Sequence, residues 1–256
     1  MLKQSYKRFF AFGCSYTSYC WAMWPEIIKH ELGDVEFYNM GRVGAGNSYI
    51  AHQIYLADIK YNFGPDDLIM VCWTHAYRID WLLAEDQDWC LEGLMFYDGK
   101  INSQISDEAK SLENCEFRDC NIVVGATEFL NQLSSDTFTF TWIDNLSSDL
   151  DTLIPFRDLM KDIPLWNTDY YVAKRRQLWE QYIGQIPICD MHPMPIESLE
   201  FLSDTLEYAF SVDTVNSTFN YHKRISEVFK SQTDKHAWET ALDLGKDAKF
   251  LVYFLD

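Results

Sequence analysis

DLIMVCW, residues 67–73, decides the fold. It is a continuous apolar run behind the acidic residues Asp66 and Asp67. Such a run without polar alternation reads as a strand buried on both faces, the pattern of a parallel sheet. Upstream, SYIAHQIYLADIKYN at 48–62 has helical periodicity, with Asn47 or Ser48 as its cap and Gly64–Pro65 as its break. GRVGAGN at 41–47 is a glycine-rich loop and VEFYNM at 35–40 a short strand. MWPEIIKHEL at 23–32 reads as a helix with Pro25 in its first turn, stopped by Gly33 and Asp34. RFFAFGC at 8–14 reads as a first buried strand ending at Gly13. Strand, helix, strand, helix, strand with short connections predicts an α/β fold, a parallel sheet covered by helices on both faces. The carboxyl ends of those strands would gather Gly13–Thr17, Gly41–Asn47 and Thr74–Arg78 on one edge.

Downstream the pattern is less regular. Residues 80–120 carry acidic clusters and Trp81, Trp89, Phe96 and Tyr97, and read as an insertion near the site. Residues 122–133 are helical in their second half, 137–143 alternate like a strand, and 145–165 read as loop. Helices are expected at 169–183, 196–210, around 222–230 and at 236–244, with an extended stretch at 186–189 and an apolar end, FLVYFL. No linker separates domains, so one domain is expected over 1–256, with 211–256 as a C-terminal extension.

The 256 residues are 48% apolar, a globular composition with enough chain for a sizeable core. Lys plus Arg is 21 against 39 Asp plus Glu, a net charge of −18. That surface repels nucleic acid and anionic membrane and suits a neutral ligand. Seven cysteines, an odd number without C-x-x-C, point to free thiols in a reducing, cytoplasmic setting and to no metal site. No apolar stretch is long enough to span a bilayer.

Two short segments carry chemistry. FGCSYT at 12–17 places Ser15 just behind the first strand, and DMHP at 190–193 places Asp190 two residues before His192. A serine hydroxyl is a weak nucleophile and needs a base, usually a histidine oriented by a carboxylate. In an extended segment Asp190 can reach one ring nitrogen of His192, and Pro193 stiffens the segment. Backbone N–H groups in the loops after the first two strands can supply an oxyanion hole. A nucleotide-binding reading of GRVGAG fails on order, since its glycines run G-x-x-G-x-G.

With these residues the chain resembles the SGNH/GDSL hydrolases, a family of esterases with a flavodoxin-like three-layer α/β/α fold. FGCSYT resembles the first sequence block, YNMGRVGAG the second and DMHP the last, over roughly residues 7–210. The resemblance implies Ser15 as nucleophile, His192 as base and Asp190 as its orienting acid. It implies oxyanion donors at Ser15 and Gly44. Cys14 stands where the family has an acid. The third block, CWTHAYRID at 72–80, lacks the family's asparagine, which leaves Thr74 or His75 to donate. Arg78, Trp73 and Tyr77 are expected to contact substrate. The implied activity is hydrolysis of a carboxylic ester, such as a carbohydrate O-acetyl or short acyl ester, without a cofactor. A homo-oligomer is compatible with the extension. The alternative is a weakly active or inactive carbohydrate-binding or structural protein of the same fold.

Overall fold

The computed structural model describes residues 2–3, 5–83, 88–94, 111–142, 151–166 and 192–231. The chain folds into two compact, interleaved units. A sheet unit comprises Lys7–Thr17 and Glu36–Trp166; a helical unit comprises Met1–Tyr6, Ser18–Val35 and Asn167–Asp256. The chain passes between them more than once, so no single change of composition marks a boundary.

In chain order the first elements are β1 (Arg8–Phe12), α1 (Trp24–Leu32), β2 (Glu36–Asn39), α2 (Asn47–Tyr61) and β3 (Asp67–Trp73). They are followed by β4 (Arg78–Leu83), β5 (Asp88–Leu94), α3 (Leu112–Asn131) and β6 (Asp136–Thr141). A 3-10 turn at Asp151–Leu153 leads into α4 (Ile154–Met160), and α5 (Pro195–Thr205) and α6 (Val212–Ser231) come last.

In the sheet unit four strands pair in parallel in the order β2-β1-β3-β6. This is the flavodoxin-like order, with β6 in the place after β3. All seven residues of β3 are buried, so both faces of the strand are covered, as a three-layer α/β/α build requires. The fold class is the α/β one expected. The acidic start of the apolar run has a partner: Arg8 lies opposite Asp67 in the β1–β3 register. Arg8 Nε and Nη2 donate to the two Asp67 oxygens at 2.7 and 2.6 Å, and Nη1 donates to the Tyr61 carbonyl at 2.9 Å. Asp67 is 1% exposed, where an unpaired carboxylate would be costly, and the two-pronged guanidinium offsets that cost. On β1, Phe9 and Phe10 stack on their register partners Phe37 and Tyr38 of β2, with centroids 5.1 and 4.7 Å apart.

The stretch read as an insertion contains regular structure. β4 and β5 form an antiparallel hairpin, and α3 begins at Leu112, well before the second half of 122–133 where helix was expected. An aromatic of the hairpin reaches α2: Trp89 meets Tyr49 at 5.7 Å and His52 at 5.1 Å. Ser111 caps α3 by accepting from Asn114 N–H. The loop-rich stretch likewise holds α4, whose Pro155 sits in the first turn, where proline is tolerated.

In the helical unit α1 and α5 start alike. Each has proline in the first turn and a glutamate that accepts from the backbone N–H of the preceding methionine: Glu26 from Met23 at 2.9 Å, Glu197 from Met194 at 2.7 Å. α5 ends at Thr205, short of the expected 210, and Glu207 follows with φ 47. α6 begins at Val212, earlier than expected, because Ser211 caps it through Thr214 N–H and is itself held by Glu31. Among the described residues no helix is long and apolar enough to cross a membrane. The helices expected at 169–183 and 236–244, the stretch 186–189 and the apolar end lie outside the described residues.

If β3 is the doubly covered centre of the sheet, Ile69→Ala should lower unfolding free energy by about 3 kcal/mol in chemical denaturation, since Ile69 is 0% exposed.

Candidate active site

Within the sheet unit, β1 has β2 on one side and β3 on the other, so successive connections leave β1 in opposite directions. That is the switch point at which parallel sheets open a crevice. Three loops meet there, after β1, β2 and β3.

The first loop is a turn. Thr17 N–H donates to the Cys14 carbonyl at 2.9 Å, which puts Ser15 at the turn's second position. Two glycines admit the Thr17 side chain. A Cβ on Gly13 would stand 2.0 Å from Thr17 Oγ1, and one on Gly41 2.8 Å from Thr17 Cβ. Asn39 joins the first two loops: its Nδ2 donates to the Thr17 carbonyl at 3.0 Å and its Oδ1 accepts from Gly41 N–H at 2.9 Å. Arg42 N–H then donates to the Gly13 carbonyl at 3.1 Å. Cys14 is fully enclosed, and burial, with Cys14 beside it, pushes the Cys72 thiol up.

The second loop carries a turn closed by Ala45 N–H on the Arg42 carbonyl. Gly44, at its third position, has φ 82, the left-handed value a type II turn demands and glycine supplies freely. Among the described residues, neither the Gly44 N–H nor the Ser15 N–H and hydroxyl has a hydrogen-bond partner. Ser15 is 3% exposed.

The third loop hangs on Asn47. Its Oδ1 accepts from Thr74 N–H and its Nδ2 donates to the Thr74 carbonyl, both at 2.9 Å, so one amide satisfies both backbone groups of Thr74. The same Nδ2 donates to Asp119 Oδ2 at 2.7 Å. Burial pushes Asp119 up to about 7, against the opposing pull of Arg118 and Asn47. Thr74 Oγ1 accepts from Trp142 Nε1 at 3.2 Å, and Trp142 stacks on Tyr16 at 4.2 Å. His75 Nδ1 accepts from Tyr77 N–H at 3.0 Å. Burial, reinforced by the Arg78 charge, holds the ring down at about 4. The imidazole is therefore neutral at pH 7 and carries its proton on Nε2. Arg78 Nη1 donates to the Ala45 carbonyl at 2.9 Å, and its guanidinium lies 5.9 Å from the Trp142 ring centre.

Ser15, Gly44, Thr74, His75 and Arg78 thus share one edge of one unit. Trp73, expected at the substrate, is 0% exposed on β3, where continuous burial makes it a core side chain; Tyr77 is half-buried beside His75. His192 belongs to the helical unit. There it stacks on Tyr19 with centroids 3.7 Å apart and planes 13° from parallel. The next residue is pinned as well, Trp21 Nε1 donating to the Pro193 carbonyl at 2.8 Å. Asp190 lies outside the described residues. Asn39, Asn47, Asp80, Arg118 and Asp119 were not foreseen. The only signal for Asn47 was its place at the start of a helix, which suggested a cap.

No protein-family model matches the chain, and no curated protein matches its sequence. Among solved structures it is similar to a member of the lipolytic protein G-D-S-L family from Veillonella parvula DSM 2008. The identity is 17% and the TM-score 0.38, over 78% of this chain and 96% of that one. It is also similar to protein YxiM from Bacillus subtilis, at 13% identity and TM-score 0.43, over 80% of this chain and 58% of that one. Both are recorded as similarities alone.

Asn47→Ala strands two backbone groups of Thr74 and should cost about 3 kcal/mol in denaturant titration, at roughly 1–3 kcal/mol for each buried group left unpaired. In an NMR titration the His75 ring should show the neutral Nε2–H tautomer across the neutral range and gain its second proton only near pH 4.

Proposed function

We propose that the chain hydrolyses a carboxylic ester through Ser15, with an acyl-enzyme between its two steps. Ser15 Oγ attacks the ester carbonyl as His192 takes the hydroxyl proton, and Asp190 holds the imidazole in the required tautomer. The carbonyl π electrons move onto oxygen, which then carries the negative charge. When the tetrahedral intermediate collapses, the alcohol leaves with the proton from His192. Water, deprotonated by the same ring, releases the acid and restores Ser15.

The observation that carries this reading is a pair of backbone N–H groups, Ser15 and Gly44, and the Ser15 hydroxyl, all without a hydrogen-bond partner among the described residues, on two loops tied by the Arg42–Gly13 hydrogen bond. Donors held ready without competing partners are what an oxyanion needs. His75 supplies the third donor in place of an asparagine, because its proton sits on Nε2 and its charge is zero at working pH. The Thr74 backbone N–H is already taken by Asn47 Oδ1, while its hydroxyl accepts from Trp142 and keeps its own proton. As the base, His192 would be held by its own unit, where its ring stacks on Tyr19. The net charge of −18 favours a neutral substrate, a short acyl ester or a carbohydrate O-acetyl group.

Ser15→Ala and His192→Ala should each lower kcat on a chromogenic acetyl ester by about 10⁴-fold. A serine-directed phosphonate should label the wild type at Ser15. Folded wild-type protein that neither hydrolyses a panel of esters nor takes the label would point instead to a binding or structural role.

A further inference from the structure

The second loop is gripped from β4 by two side chains that the esterase chemistry does not itself use. Arg78 and Asp80 are two residues apart, so on a strand they point to one face. Arg78 Nη1 holds the Ala45 carbonyl at 2.9 Å. Asp80 Oδ1 accepts from Gly46 N–H at 2.7 Å, and its Oδ2 accepts from Tyr49 N–H at 2.9 Å. Three contacts, to Ala45, Gly46 and Tyr49, therefore clamp the backbone just after Gly44. The register of the β4–β5 hairpin shifts between Arg78 and Asp80, with the extra residue on β5, so β4 keeps its alternation there. Gly46 is shaped to the clamp, since a Cβ there would stand 2.7 Å from Asp80 Oδ2. α2 has no side-chain cap of its own at Gly46, so the Asp80 carboxylate serves its N-terminus from another element. Arg118 in turn holds the start of β4, donating to the Ala76 and Arg78 carbonyls at 2.7 and 2.8 Å.

We infer that Arg78 and Asp80 are positioning residues, a clamp on β4 that fixes the Arg42–Ala45 turn so that the Gly44 N–H stays aimed at the developing oxyanion. The inference rests on the esterase reading for its catalytic consequence, while the clamp itself can be read without activity. It gives Arg78 a role distinct from substrate contact. An Asp80 that merely capped α2 would change stability and leave turnover per folded molecule untouched.

The experiment compares wild type with Arg78→Met, Arg78→Lys, Asp80→Asn and Gly46→Ala, all as the full chain. Hydrogen exchange of peptides covering residues 42–49 should be at least about tenfold faster in Arg78→Met, Asp80→Asn and Gly46→Ala. On the acetyl ester, kcat should fall about 10- to 100-fold in these variants with KM within about threefold, and Arg78→Lys should recover part of the loss. Unchanged exchange in the folded variants, or faster exchange with kcat unchanged, overturns the inference while leaving the esterase reading in place. A fall confined to KM, with no rescue by lysine, would make Arg78 a substrate contact and also overturns it. If the wild type lacks activity the esterase reading fails, and the exchange data alone decide whether the clamp exists. Should Asp80→Asn not fold, Arg78→Met and Gly46→Ala test the same clamp from its other sides.

Discussion

Thr74 is the first residue beyond the central strand, and no strand partner takes its backbone N–H and carbonyl. Asn47 takes both. The side chain is 0% exposed, so water does not compete for the amide, and its geometry copies the donor–acceptor pair of a neighbouring strand. The arrangement at this edge of the sheet depends on that substitution. It extends the order of β3 by one residue past the point where pairing runs out. It also fixes the first turn of α2 against the loop that carries His75.

The large elements were legible because burial and periodicity are local properties. Seven buried residues in a row could only be a covered strand, and Pro25 and Gly33 bracket α1 with chemistry that acts within one turn. Ser15 and Gly44 were singled out only through the likeness of FGCSYT and YNMGRVGAG to the family's sequence blocks; the turns that hold them are visible in the structure alone. Elements held by remote partners were not. The β4–β5 hairpin depends on Trp89 reaching α2, and neither strand carries a clear alternation of its own. Asn47 binds residues 27 and 72 positions away, and Asp80 binds one 34 positions away. An asparagine at a helix start and an aspartate in a strand look ordinary until the fold brings their partners to them.

Electrostatics at the edge follow from the same lacing. Arg78, Arg118, Asp80 and Asp119 alternate in sign and are bonded chiefly to backbone groups and to one another, in surroundings where an unpaired charge would be costly. Burial raises Asp80 and Asp119, and the arginines oppose it. Burial also lowers His75, and there the Arg78 charge works in the same direction. A ring that cannot gain a proton near neutrality is a poor base and a dependable donor.

Unpartnered donors carry a cost. The N–H of Ser15, a residue only 3% exposed, has no hydrogen-bond partner among the described residues, at roughly 1–3 kcal/mol for a buried group left without one. Such a donor persists only if the chain cannot relax toward a nearby carbonyl. The glycines explain why it does not. At Gly13, Gly41 and Gly46 the space a Cβ would need is taken by Thr17 or Asp80, so each loop is packed against a side chain that stops it from collapsing. The neighbouring carbonyls are also engaged: Gly13 by Arg42, Arg42 by Ala45, Ala45 by Arg78 and Thr74 by Asn47. With those acceptors occupied and the backbone wedged, the Ser15 and Gly44 N–H groups have no neighbouring carbonyl to turn to among the described residues.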